Sequence, residues 1–184
     1  MKPLVVLLLL IISSCEQDKF DRKDVEKLKE AFSCTVNGEE FYPKQFSDIY
    51  YTAGYKEFSK NGYSTLTLKS RNTINRLIEV LIIVSNTEKP FKAGEIYPLE
   101  LANFSAPRDL KYADCYYERS GAKEPKLVEQ SSYTTNDDIG GSLTITYLDT
   151  ITNTVRGSFQ FKAINKAGDM IKVENGSFNF NYED

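Results

Sequence analysis

Cys15 is the residue whose neighbours prescribe a reaction most specifically. Met1-Lys2-Pro3 carries one positive charge, Leu4 to Ile12 is an unbroken run of nine apolar residues, and Ser13-Ser14 leads to the cysteine. A positive start, a short apolar core and small residues before the cut mark an export signal. Nine residues are too few to span a hydrocarbon layer about 30 Å thick. Ile12-Ser13-Ser14-Cys15 fits a lipobox, in which the thiol receives a diacylglycerol and the amine freed by cleavage is acylated. The expectation is a cleaved signal over residues 1–14, lipid on Cys15, and attachment to a bacterial outer membrane on its periplasmic or surface-exposed face. The competing account is an ordinary signal peptide with a chance cysteine, or an uncleaved anchor.

The rest of the chain limits its own chemistry by what it lacks. With no histidine, a Ser-His-Asp triad, a Cys-His pair and a His proton shuttle are excluded. No phosphate-binding glycine loop occurs, and no cofactor or metal is expected. Acid/base work would fall to carboxylates: Glu39-Glu40, Glu79, Asp109, Asp114 and Asp137-Asp138. Two of them in one cleft would suit glycosidase-like hydrolysis, or calcium. Adjacent acids in loops are more often simply solvated, and Asn136-Asp137-Asp138 lacks the alternating spacing of a calcium loop. Glu79 stands apart, because an acid inside an apolar strand must be paired, exposed at an edge or facing a cavity. Arg71 or Arg76 is its expected partner; a pocket would make it the best ligand-binding candidate, with Tyr51 and Tyr117 as weaker ones. Ordinary strand propensity explains the tyrosines equally well. Cys34 and Cys115 are either a disulfide, which an exported compartment permits, or two buried thiols.

Those side chains need elements to hold them. Residues 15–31 form a charged tether, within which Asp21 to Ala31 has helical spacing. From Phe32 onward the period is two. Phe32, Cys34 and Val36 alternate with Ser33 and Thr35, and Asn37-Gly38 supplies a tight hairpin into Glu39 to Tyr42. Strands are expected over 50–55, 63–70, 111–119 and 126–134, with a short piece around 95–99. Leu77 to Val84 is apolar on both faces apart from Glu79, which places it at the centre of a sheet. Leu143, Ile145 and Tyr147, then Val155 to Ala163, read as a hairpin. In the last strand, 170–182, the apolar phase flips at Asn175-Gly176, which predicts a bulge with Gly in the left-handed region. One domain over 32–184 follows: all-β, eight to ten antiparallel strands, a β-sandwich or a partly closed meander barrel.

Phe32-Ser33-Cys34-Thr35-Val36-Asn37-Gly38-Glu39, the block from Gly141 to Tyr147 and on to Val155 through Phe161, and Val173-Glu174-Asn175-Gly176-Ser177-Phe178 resemble a family of Bacteroidetes-type lipoproteins, a domain of unknown function. The likeness covers roughly 32–182 and rests on strand and turn patterns. It implies a β-rich, lipid-anchored domain and carries no active-site residues with it.

Charge narrows the partners. The whole chain has a net charge of −3; without its first fifteen residues it keeps 22 basic against 26 acidic residues. No basic excess exists to neutralise phosphates, so nucleic acid is not an expected partner. The leading expectation is a non-enzymatic domain on the cell envelope, held to the membrane through Cys15, that binds a ligand, a glycan or a protein. A structural or assembly subunit of an envelope complex is the first alternative. A carboxylate-dependent hydrolase is the second.

Overall fold

The computed structural model describes residues 22–43, 51–58, 63–72, 78–86, 90–100, 111–117 and 131–182. The signal segment, Cys15, Arg76, Asp109 and residues 126–130 of an expected strand lie outside the described residues. Among the described residues one helix, α1 (Arg22–Ala31), precedes eleven strands, where eight to ten were expected. These are β1 (Phe32–Val36), β2 (Glu39–Phe41), β3 (Tyr51–Phe58), β4 (Tyr63–Asn72), β5 (Ile78–Asn86), β6 (Ile96–Leu99), β7 (Lys111–Tyr117), β8 (Ser132–Thr134), β9 (Gly141–Asp149), β10 (Thr154–Ile164) and β11 (Met170–Asn181).

All strand pairs are antiparallel, in the order β2-β1-β11-β10-β8-β7-β5-β4-β3. β3 comes back against β11, so the sheet curls into a nearly closed barrel rather than a sandwich. Near-closure hides most of the unpaired backbone that an open sheet of this width would expose. The sheet forks at β10: β9 covers Thr154 to Phe161, and β8 takes the same edge at Ile164. β9 in turn carries β6. Thr135, fully buried at the fork, holds the branches together. Its hydroxyl donates to the Glu100 carbonyl at 2.6 Å and accepts from Ala113 N at 3.1 Å, while its own N–H donates to the Ala113 carbonyl.

Local chemistry explains the turns. Asn37 and Gly38 both have positive φ, 51° and 82°, as a primed hairpin turn requires. β11 runs unbroken through its phase flip. Ser177 pairs with Ser158 and Ser33, Glu174 pairs with Thr35, and both neighbouring strands shift register there. The bulge is therefore present, with one correction: the left-handed residue is Asn175, φ 54°, and not Gly176. Gly176 is needed for another reason, since a Cβ on it would run into the Phe159 ring.

The barrel interior is filled from β1, β10 and β11. Phe32 lies 5.1 Å from Phe159 between ring centroids and 6.1 Å from Phe41 and Phe180; Phe159 also neighbours Phe161 and Phe178. From the other wall come Leu66, Leu68, Val80, Ile82 and Val84, all buried. β5 is central, as its apolar run predicts, flanked by β4 and β7.

The tether holds its expected helix, Asp21 to Ala31 by spacing and Arg22–Ala31 in the fold. Its helix packs against β11 and β1, with Ala31 buried and Lys29 donating to Glu40 Oε1 at 2.6 Å while lying over the Tyr42 ring. Among the described residues no helix is long and apolar enough to cross a membrane.

Candidate functional site: a carboxylate cleft on β5, β7 and β8

Alternation puts Val80, Ile82, Ala113, Cys115 and Tyr133 in the core, which turns Glu79, Leu81, Asp114, Ser132 and Thr134 to the other face. Register then gathers them, because Leu81 opposes Asp114 and Asp114 opposes Thr134. Together they line an open cleft of about 200 Å³, with Cys115 and Tyr133 beneath. That is below the ~300–1,000 Å³ usual for drug-sized ligands, and it suits a small polar molecule.

The two acids of the cleft have different surroundings. Glu79 directly opposes Arg71. Its Oε2 accepts from Arg71 Nε at 2.7 Å and from Nη2, and its Oε1 lies 3.3 Å from Lys69 Nζ. Its side chain is 19% exposed, so water screens this cluster less than an ordinary surface pair. Of the two expected partners Arg71 is beside it, joined by Lys69; Arg76 lies outside the described residues. Among the described residues no cation pairs with Asp114. Burial raises its pKa, against a smaller opposing effect from the Thr134 hydroxyl that bonds it. Its Oδ1 is buried and has no hydrogen-bond partner among the described residues.

A stability prediction follows from that shift. With its pKa raised in the fold, Asp114 favours the native state below the unfolded value of about 3.9, and this contribution is lost as pH rises through the folded value. Asp114→Asn should therefore gain stability over the parent at neutral pH, and the gain should vanish as pH falls below about 4. Urea melts of both chains from pH 3 to pH 8 would check it; a constant difference across that range contradicts it.

Comparison with known proteins found no family model, curated protein or solved structure that matches the chain. The site therefore rests on its own geometry.

The other candidates fall elsewhere. Tyr117 opposes Ile78 and packs against the core, so it projects to the opposite face from Glu79. Tyr51 begins β3 opposite Ser70, and its side chain lies outside the described residues. Glu39 and Glu40 are exposed on β2, Glu40 held by Lys29. Asp137 and Asp138 sit in a tight turn organised by Asn136, whose Oδ1 accepts from Asp138 N and Ile139 N. Among the described residues no three acids or thiols gather as metal ligands do. Asp114 was visible in the sequence only as one acid among several. Its position between buried Ala113 and Cys115 is the signal, since alternation alone puts it on the face that Glu79 shares.

Cys34 and Cys115 are free thiols, both buried, on β1 and β7, strands that do not pair with each other. Of the two readings offered for the pair, buried thiols is the one present; Cys34, in phase with Phe32 and Val36, is a core residue. Burial pushes both thiols up, with each of Cys34 and Cys115 also facing nearby negative charge when the other groups ionise. Neither should react with a thiol reagent in the folded chain, and both should react after denaturation without reductant. Mass spectrometry after alkylation distinguishes this from a bond, which would leave them unlabelled until reduced.

Proposed function

We propose that this chain is a bacterial lipoprotein, anchored to the outer membrane by lipid on Cys15, whose β-barrel binds a small ligand or a partner at the cell envelope without transforming it. The observation that carries the binding role is the cleft, where a buried, unpaired carboxylate oxygen on Asp114 adjoins the Ser132 and Thr134 side chains. Such a set can accept and donate hydrogen bonds. Glu79, the other acid, is already engaged by two cations, a poor state for a nucleophile or base. The lipobox and the resemblance to Bacteroidetes-type lipoproteins support the location.

A second reading has one specific observation in its favour. Glu79 and Asp114 line the same cleft, and their environments differ, one carboxyl pushed toward its protonated form and the other held beside cations. A carboxyl pushed toward its protonated form is what a carboxylate-dependent hydrolase needs as its general acid.

Two measurements test these readings. Cys15→Ala should move the chain from the membrane to the soluble fraction and abolish palmitate labelling; a variant that stays in the membrane defeats the lipid anchor. Thermal shift against a panel of monosaccharides, amino acids and simple amines should find a compound that stabilises the parent but not Asp114→Asn, and leaves solution unchanged. No shift for any panel member argues against the cleft, while turnover that both Asp114→Asn and Glu79→Gln abolish establishes the hydrolase.

A further inference from the structure

A second surface lies on other strands. β1, β11, β10 and β9 turn alternate residues to solvent, and their register lines these into rows. One row reads Ser33, Ser177, Ser158, Thr144, a hydroxyl from each of four adjacent strands. Neighbours in it are about 4.8 Å apart across the sheet, and the Ser33 and Ser177 hydroxyls are hydrogen-bonded at 3.0 Å. The adjacent row reads Asn179, Arg156, Tyr147. Arg156 Nε donates to Asn179 Oδ1 at 3.1 Å, and its guanidinium lies 5.1 Å from the centre of the Tyr147 ring, which is 43% exposed. Beyond it, Thr154 donates to Asn181 Oδ1; on the other side, Gln160 opposes Ser142.

Three properties of this face select a partner. Apart from Arg156, the polar groups in its two rows are hydroxyls and an amide, able to donate and accept, and several are bonded sideways to one another, so they are held in place before anything binds. The hydroxyl row carries no charge and the rows beside it carry one cation, Arg156, and one acid, Glu174, so no excess of positive charge draws nucleic acid or anionic lipid. Its large apolar groups stand at the margin, Tyr147 and the 68% exposed Ile96 opposite Thr144, whereas a stable protein interface has an apolar centre. We propose that this face binds an uncharged polysaccharide laid across the strands, its hydroxyls meeting the serine and threonine row and the apolar face of a sugar ring packing at Tyr147. The face is made of different strands from the carboxylate cleft, and either can fail alone.

The test is co-sedimentation of the full chain, purified in detergent, with insoluble cellulose, mannan and chitin. The parent should sediment with at least one, and Ser158→Glu/Ser177→Glu should bind it about tenfold or more weakly while melting like the parent. Glu79→Gln, in the cleft, should bind it unchanged. If the paired glutamates disturb the fold, Ser158→Ala with Tyr147→Ala makes the same comparison without added charge. The proposal is overturned if the parent sediments with none of the three, if the folded variants sediment as well as the parent, or if cross-linking in membranes captures a protein on this face while every polysaccharide is ignored.

Discussion

Phe159→Ala should lower the midpoint of thermal unfolding by roughly 6–20 °C. The ring is buried where three strands meet, stacked among Phe32, Phe161 and Phe178 and lying against the backbone of Gly176. Truncation removes its transfer free energy and leaves a void that neighbouring rings, themselves fixed by β1 and β11, fill only in part. Substitutions of this kind cost about 3–5 kcal/mol, and a domain of this size loses about 2–4 °C per kcal/mol. Circular dichroism melts decide it. A fall under about 3 °C would mean that the aromatic cluster repacks freely, contrary to its position at the junction of β1, β10 and β11.

Gly157→Ala should cost about 3 kcal/mol, the upper part of the range for overpacking a core. A Cβ at Gly157 would meet the Thr144 carbonyl oxygen and the Phe178 ring, and the first of these is backbone, which cannot swing aside as a side chain does. Gly38 provides the control. Its surroundings are open but its φ is +82°, so Gly38→Ala is limited to the left-handed strain of about 1–2 kcal/mol. Urea denaturation of the two variants should rank them in that order. Equal losses would show that backbone conformation, and not the close approach of strands β9, β10 and β11, makes Gly157 necessary.

Much of this architecture was legible in residue types. The apolar run with Glu79 in it gave a central strand, because no other place accommodates side chains of that kind on both faces. Asn37-Gly38 and the phase flip at Asn175-Gly176 named a turn and a bulge through local rules that need no knowledge of the rest of the chain. What failed were inferences depending on partners far away in sequence. Gly176 was assigned the left-handed conformation on general preference, but Phe159 across the strand pair requires its missing side chain, and Asn175 takes the turn. Closure into a barrel follows from β3 reaching β11, a meeting of segments more than a hundred residues apart. The cleft was half legible. Glu79 and its arginine were found from the strand pattern, whereas its association with Asp114, Ser132 and Thr134 depends on β7 lying between β5 and β8, which periodicity does not specify.

The docked helix sets a length. Counted from sequence, sixteen residues separate Cys15 from Phe32, enough for a leash of more than 50 Å if all were extended. With α1 fastened to the barrel by Ala31 and by Lys29 on Glu40 and Tyr42, six residues of sequence, 16–21, lie between Cys15 and the docked helix. Their greatest span is about 25 Å. If Cys15 carries the proposed lipid, a barrel so tethered would patrol a shell close above the headgroups and meet only what comes near the membrane surface; undocking the whole helix would roughly double that radius.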